Sequence, residues 1–282
     1  MGSRLPSLEK NVPGEAQSAP AAVVHKSGTQ HPRRPLLREV LASVQVPASG
    51  HLDNRLLAHL PGEAFALLRP DLRQTIIPAG MIMLEAGRPI EKIYFPQTGL
   101  ASLLVVTRDG GAIESSTIGR EGAVGLHCGL GDRLSFTRAV AQIGGRFSVL
   151  RAARFAQIVQ DFPDVRNLIS NYTEVLWAET QQIAACNAVH DASSRLCRWL
   201  LQSADRVGSD QLTLTQEFLA QMLGVRRTTV TLLAQALQKK GVIKYSRGQI
   251  SILERGALEA CACECYHVIQ DDRLPGSVGV RL

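Results

Sequence analysis

Arg226, Arg227, Thr228 and Thr229 stand in a row just after Gly224 and directly ahead of Val230, Leu233 and Leu237, which recur at helical spacing. A guanidinium group can fork onto guanine N7 and O6 or bind a phosphate, and a hydroxyl can serve either partner. A helix that opens with such groups carries the chemistry of a recognition helix in the DNA major groove. Upstream, Leu219, Met222, Leu223 and Val225 also fall at helical spacing. The stretch therefore reads as two short amphipathic helices hinged at Gly224, where glycine supplies the positive φ that a tight helix-to-helix turn needs. This is the pattern of a helix-turn-helix.

The surrounding charge agrees. Between Phe218 and Leu253 the charged side chains are Arg226, Arg227, Lys239, Lys240, Lys244 and Arg247, with no Asp or Glu. The whole chain carries a formal charge of only +6, so the positive charge is concentrated locally. Such a patch gains affinity for phosphates by counterion release, without sequence information. An ordinary solvated helix pair is the alternative. After Gly241 the pattern switches to period two, from Val242 to Leu253, around a turn at Ser246-Arg247-Gly248. A helix-turn-helix followed by a basic hairpin describes a winged helix, with Arg247 at the tip in reach of a phosphate.

Other chemistries find less support. No Ser-His-Asp or paired-carboxylate arrangement stands out, so no catalytic residue is expected. The six cysteines are Cys128, Cys186, Cys197, Cys261, Cys263 and Cys265, and none forms a C-x-x-C pair. If Cys261-Ala-Cys-Glu-Cys265 were one helix, Cys263 would point away from the other two, and no histidine pair stands nearby at zinc spacing. No metal is therefore expected. His127-Cys128, in a glycine-rich loop, is a second candidate, for redox or haem chemistry. No apolar run reaches the roughly 18 residues of a membrane span, and no secretory signal is evident. The expectation is a cytoplasmic protein with reduced thiols.

At 282 residues the chain should hold about two domains. Residues 1–50, rich in Pro, Ala, Ser and Gly, read as a disordered arm in which Arg33 and Arg34 are solvated charges. Residues 51–160 begin with short helices near Asp53–Leu60 and Gly62–Leu68. They then become strand-rich and glycine-punctuated, as in a sandwich or closed roll. Residues 161–186 form a long helix, with Asp161 as a plausible cap before Pro163. Its apolar seam is Val165, Leu168, Ile169, Tyr172, Val175, Leu176, Glu179, Ile183 and Cys186. The seam could pack on its own β domain, but its length favours pairing with a second copy. Residues 187–270 hold the winged helix and 271–282 a tail. The fold class is α+β.

In this order the chain resembles the Crp/Fnr superfamily of bacterial transcription regulators. The resemblance rests on Ile77-x-x-Gly80-x-x-Leu84-x-x-x-Gly87, Ile93-Tyr94-Phe95-x-x-x-Gly99, Arg195–Leu201, and Leu214–Ala220 through Gly224–Val230. It implies a cyclic-nucleotide-binding-like, jelly-roll-like β-roll sensor, a long dimerisation helix and a winged helix-turn-helix. The implied partners are double-stranded DNA, a second copy of the chain and RNA polymerase. Implied DNA contacts are Arg226, Arg227, Thr228, Thr229, Thr231 and Arg247, with Thr215 and Gln216 at phosphate. Thr228 stands where many members have a Glu that accepts from cytosine, so the best-known operator is not expected. The implied effector site covers Gly125, Leu126, His127, Cys128, Thr137 and Arg138. Cyclic-nucleotide binders have Gly-Glu for the ribose and Arg-Ser or Arg-Thr for the phosphate. Here Leu126 follows Gly125 and Ala139 follows Arg138, so cAMP is not expected. The cysteines near the N-terminus that hold iron-sulfur clusters in one branch are missing, so no cofactor is expected. The competing reading is a small-molecule-binding module that acts through protein contacts.

Overall fold

The structure, a computed structural model, describes residues 48–271 except 109, 132 and 133. The expected arm and tail, with Arg33 and Arg34, lie outside the described residues apart from their innermost few. Two short helices, α1 (Arg55–Ala58) and α2 (Gly62–Leu68), lead into seven strands: β1 (Arg73–Ile77), β2 (Ile82–Leu84), β3 (Lys92–Pro96), β4 (Leu100–Val106), β5 (Ala112–Ile118), β6 (Arg138–Ile143) and β7 (Gly145–Arg151). They form two antiparallel sheets, ordered β1-β7-β3 and β2-β6-β4-β5. The inward residues of both, among them Ile77, Phe95, Phe147 and Leu150 from one and Leu84, Ala101, Ile118 and Ala139 from the other, share one core. At about 25 cal/mol per Å² of apolar surface, this burial is the roll's main stabilisation. The chain crosses between sheets at Gly144-Gly145, where a Cβ on Gly145 would come within 2.5 Å of the Gly99 nitrogen.

α3 (Ala152–Asp161) closes the roll, and α4 (Pro163–Val189) runs for 27 residues, about 40 Å at 1.5 Å per residue. Asp161 ends α3 and is not the cap of α4; Phe162 takes that position, and Pro163 opens the helix with its pre-set φ. The expected seam needs a second correction. Val165, Ile169, Tyr172, Glu179, Ile183 and Cys186 are buried within this same chain, with Val165, Ile169 and Tyr172 in the core of the roll. Apolar periodicity marks the buried face of a helix, whoever covers it. A second stripe at alternating three- and four-residue steps is Leu168, Asn171, Val175, Ala178, Gln182, Ala185 and Val189. It remains partly or fully exposed, and Val189 is 73% exposed.

α5 (Ala192–Val207) starts where the Asp191 carboxylate accepts from the backbone amides of Ser193 and Ser194, and stops at Gly208 with φ 74°. Then come β8 (Gln211–Thr213), α6 (Gln216–Leu223), α7 (Arg227–Lys239), β9 (Ile243–Ser246), β10 (Gln249–Ile252), α8 (Arg255–Cys261) and α9 (Cys265–Asp271). The strands form a third antiparallel sheet, β8-β10-β9. Leu100 and Ile143 of the roll join Leu196, Trp199, Leu200 and Met222 in one apolar cluster, so the two halves share a core.

Within that junction the Glu114 carboxylate of β5 is buried. It accepts from the Trp199 indole N–H of α5 at 2.9 Å and from the Ser102 hydroxyl. Burial pushes this carboxyl up to about 7, against the two hydrogen bonds and the charges of Arg198 and Arg206, which favour ionisation. From the ordinary carboxylate value up to about pH 7 the unfolded chain ionises while the folded one stays protonated. Stability therefore falls as pH rises through that window, by up to roughly 3 kcal/mol, and is flat above it. Glu114→Gln keeps a neutral amide that can accept from Trp199 and donate to Ser102, and should remove this slope. Urea midpoints at pH 5, 6, 7 and 8 measure it, and parallel profiles for the two proteins would refute the assignment.

Candidate nucleic-acid interface

α6 and α7 form the helix-turn-helix, with Gly224 at φ 62° between them. Buried Leu219, Met222 and Leu223 of α6 and Val230, Ala234 and Leu237 of α7 hold the pair together. The recognition helix begins one residue later than the sequence suggests. Arg226 is its N-cap, in extended backbone, and Arg227 is its first residue. Arg226, Arg227 and Thr228 are exposed, and Thr229 and Thr231 are half-buried.

A side-chain bridge fixes the angle between the helices. Gln216 Oε1, at the start of α6, accepts from Arg227 Nε at 3.3 Å and from the Thr231 hydroxyl at 3.2 Å. Thr215 caps α6, its Oγ1 accepting from the Phe218 amide at 3.2 Å. Both residues thus have positioning roles within the motif. They also line, with Arg227, Tyr245, Ser246, Arg247 and Gly248, a cleft of about 440 Å³ between the helices and the hairpin. Tyr245, which the sequence did not single out, ties the hairpin down by donating its hydroxyl to the Leu214 carbonyl at 3.2 Å. Its place inside a period-two strand gave no signal of that role.

At the hairpin tip, Arg247 and Gly248 have φ 49° and 79°. Two successive positive φ values define a type I′ turn, which favours Asn or Gly. A side chain other than Gly costs about 1–2 kcal/mol there. The turn thus holds an exposed guanidinium at the cleft rim against a conformational penalty. The N-termini of α6 and α7 and the tip of the hairpin border this one cleft through Thr215, Gln216, Arg227 and Arg247, while Arg226 borders a neighbouring one with Arg227, Glu217 and Ile113 of β5. Anions are stabilised at such termini by unpaired amides and the helix dipole.

The implied effector residues have different surroundings. Gly125, with φ 91°, precedes a 3₁₀ turn, Leu126–Gly129, whose Leu126 and Cys128 side chains are buried in the core of the roll. His127 stacks on Phe136 at 5.0 Å, and its Nε2 lies 3.0 Å from the Leu134 carbonyl oxygen. The Thr137 carbonyl accepts from the Ser135 hydroxyl. The Arg138 Nε lies 3.0 Å from each Glu85 oxygen, and this bond holds the Glu85 carboxyl below its usual range. Cys128 borders a separate cavity of about 380 Å³, with Ile90, Lys92, Arg151 and Ala156. No helix among the described residues is long and apolar enough to cross a membrane.

Comparison with known proteins places these features. Residues 194–261 match the Crp-like helix-turn-helix domain. No match to a curated protein sequence was found. Among solved structures, FixK2 from Bradyrhizobium japonicum is similar with a TM-score of 0.59 and 15% identity, over 68% of this chain and 98% of that one. A CRP-family transcriptional regulator from Thermus thermophilus gives 0.56 and 17%, over 67% and 96%. The c-di-GMP-responsive global regulator CLP of Xanthomonas campestris gives 0.55 and 15%, over 68% and 99%. The likeness covers about two thirds of this chain and nearly all of each of these structures, and the helix-turn-helix is of the Crp type by sequence as well. Residues 194–261 are thus a Crp-like helix-turn-helix domain by sequence, and the chain shares its fold with solved regulators of the Crp/Fnr family.

Proposed function

We propose that this protein is a homodimeric transcription regulator that reads a palindromic operator with α7 and its wing, without cAMP. The observation that carries the reading is the cleft in which Thr215, Gln216, Arg227 and Arg247 converge, with no acidic side chain between Phe218 and Leu253. Gln216 holds Arg227 in place, which reduces the rotamer entropy lost when the guanidinium engages a base. Arg227 reads a guanine edge, with Thr228, Thr229 and Thr231 along the groove, while Arg226 and Arg247 neutralise phosphates beside Thr215 and Gln216. Regulators of this superfamily are DNA-binding transcription factors and not enzymes.

On a selected operator, Arg227→Ala is expected to cost about 1–3 kcal/mol per half-site and to relax preference at one base pair. Arg226→Ala and Arg247→Gly should weaken all sequences evenly, each lowering the salt slope by about one unit per half-site. Gly is the right replacement at 247 because it keeps the type I′ turn. Titrations on single-base operator variants over a salt series separate the roles. Uniform loss for all three variants would refute base reading by Arg227, and no DNA affinity in the wild type would end the proposal.

Dimerisation is supported by the outer stripe of α4. Leu168, Val175, Ala178, Ala185 and Val189 follow the heptad steps of a coiled coil, and the alanines permit close helix approach. Two recognition helices would then address half-sites a DNA turn apart. Ala178→Asp puts charge into that stripe without touching the core. It should shift sedimentation from dimer to monomer and weaken operator binding at least tenfold. A wild type that sediments as a monomer at micromolar concentration would rule the dimer out.

The sensor loop supports independence from cAMP. Leu126, at the position of the ribose-binding carboxylate, is 4% exposed within the core, and Arg138 is already paired with Glu85. A phosphate there would have to displace a charge-assisted bond. Calorimetric titration with cAMP or cGMP at millimolar concentration should give no saturable heat. A micromolar dissociation constant would contradict this.

A further inference from the structure

Far from the DNA-reading surface, four potential metal ligands meet where the C-terminal end of α4 packs against the α8–α9 turn. Cys186 and His190 stand four residues apart at the end of α4, which continues to Val189 with His190 as its C-cap. Cys263 and Cys265 come from the turn. The helix reading of this segment is corrected by the structure: α8 ends at Cys261, Ala262 is extended, and α9 starts at Cys265. The break turns Cys263 and Cys265 to the same side and leaves Cys261 out of the group.

We propose that Cys186, His190, Cys263 and Cys265 bind one zinc ion as a structural Cys₃His site. Their ligand atoms all lie within 4.8 Å of one another. Cys186 Sγ is 3.5 Å from Cys263 Sγ, and Cys265 Sγ is 3.7 Å from His190 Nδ1. Tetrahedral zinc, with bonds of about 2.3 Å to sulfur and 2.0–2.1 Å to nitrogen, holds its ligand atoms about 3.5–3.8 Å apart. Only small rotamer adjustments separate the cluster from that geometry. Three sulfurs and one imidazole select zinc over magnesium or calcium, which prefer oxygen.

The surroundings fit as well. His190 points Nδ1 at the thiols, while its Nε2 lies 3.1 Å from Glu264 Oε1. A carboxylate on the far nitrogen fixes the tautomer and orients the ring of a metal-bound histidine. Gln182 Nε2 donates to Cys265 Sγ at 3.0 Å, as thiolates require of their neighbours. Zinc with three thiolates and a neutral histidine carries one net negative charge, and binding releases the thiol protons to solvent. The buried guanidinium of Arg198, whose Nε has no hydrogen-bond partner among the described residues, acts electrostatically on Cys186 and Cys263 and supplies the balancing charge. A disulfide would use two of the three sulfurs and need neither the imidazole nor the carboxylate. Because protein groups fill all four positions, the ion would pin the end of α4 to the end of the winged helix and take no part in catalysis.

The test uses the full chain, purified without a polyhistidine tag or chelators. Elemental analysis should find one zinc per chain, and cobalt reconstitution should give the absorption of a tetrahedral thiolate site. Cys186→Ser, Cys263→Ser and Cys265→Ser should lose zinc at least tenfold, and Glu264→Ala should weaken affinity about tenfold. Cys128→Ser and Cys261→Ser should retain it. Because the serine variants could lose metal by misfolding, His190→Cys serves as the second arm. It makes a four-thiolate set that should keep zinc and alter the cobalt spectrum. A wild type that takes up neither metal overturns the proposal. So does zinc content unchanged in the serine variants, or a Cys186–Cys263 disulfide in the freshly purified protein.

Discussion

Arg206 is the interaction on which the arrangement of this molecule depends. It sits on α5 with 2% of its surface exposed, wedged between the roll and the long helix. Its Nη2 donates to both oxygens of Glu179 on α4, at 2.6 and 2.7 Å, its Nη1 reaches the Thr117 hydroxyl of β5, and its Nε lies 3.1 Å from Glu121. Glu179 also accepts from the Ser116 hydroxyl, and Glu121 from the Gly119 amide. One guanidinium thus joins the strand, the long helix and the first helix of the DNA-binding half. Removing one member of such a buried group leaves an uncompensated charge, typically at a cost of about 3–5 kcal/mol. The backbone is fitted to the network. A Cβ on Gly119 would come within 2.4 Å of Arg206 Cβ, and one on Gly122 within 1.8 Å of the Tyr172 hydroxyl. The turn just ahead of Gly125 is therefore occupied at a junction between elements.

Around that charge the junction is apolar, and the two kinds of contact divide the work. The cluster of Leu100, Ile143, Leu196, Trp199 and Leu200 supplies non-directional burial, which would tolerate small rotations of one half on the other. The Arg206 group and the Trp199–Glu114 bond have directions and distances, and they select one rotation. The same division recurs in the helix-turn-helix. Leu219, Leu223 and Val230 hold the two helices together, and Gln216, bonded to Arg227 and Thr231, sets how they sit.

The helix-turn-helix and wing were legible because their determinants are local. Periodicity of 3.6, a glycine at the hinge and a period-two run with Arg247-Gly248 at its turn all lie within forty residues. The long helix was legible as a helix but not in its orientation. α4 is apolar on two sides, and periodicity alone could not say which stripe this chain covers. The buried stripe is richer in large residues and dominated the reading, while Ala178 and Ala185 of the outer one gave a weak signal. Arg206 gave none, since a charge that will be buried looks in sequence like any other, and Glu179 was legible only as a member of the helical seam, not as the partner of a buried guanidinium. Cys186 and Cys263 are 77 residues apart, and their convergence depends on a helix break at Ala262 that no proline or glycine announces.

These features converge on α4. Its inner face completes the core of the roll through Val165, Ile169 and Tyr172, and its middle receives Arg206 through Glu179. Its last turn meets the α8–α9 segment at Cys186 and His190. A body attached to a rod at one point can still swivel about it; attached at two points along the rod, it keeps only rotation about the line joining them. Glu179 and Cys186 lie seven residues apart, about 10 Å along the helix, and the apolar contacts of α5 with β4 and the packing of α6 on β5 lie off that line and remove the remaining rotation. The winged helix is therefore held in a fixed orientation to α4. Were the exposed stripe of α4 the axis of the proposed pair, that orientation would set how far apart two copies of α7 stand and in which direction each points.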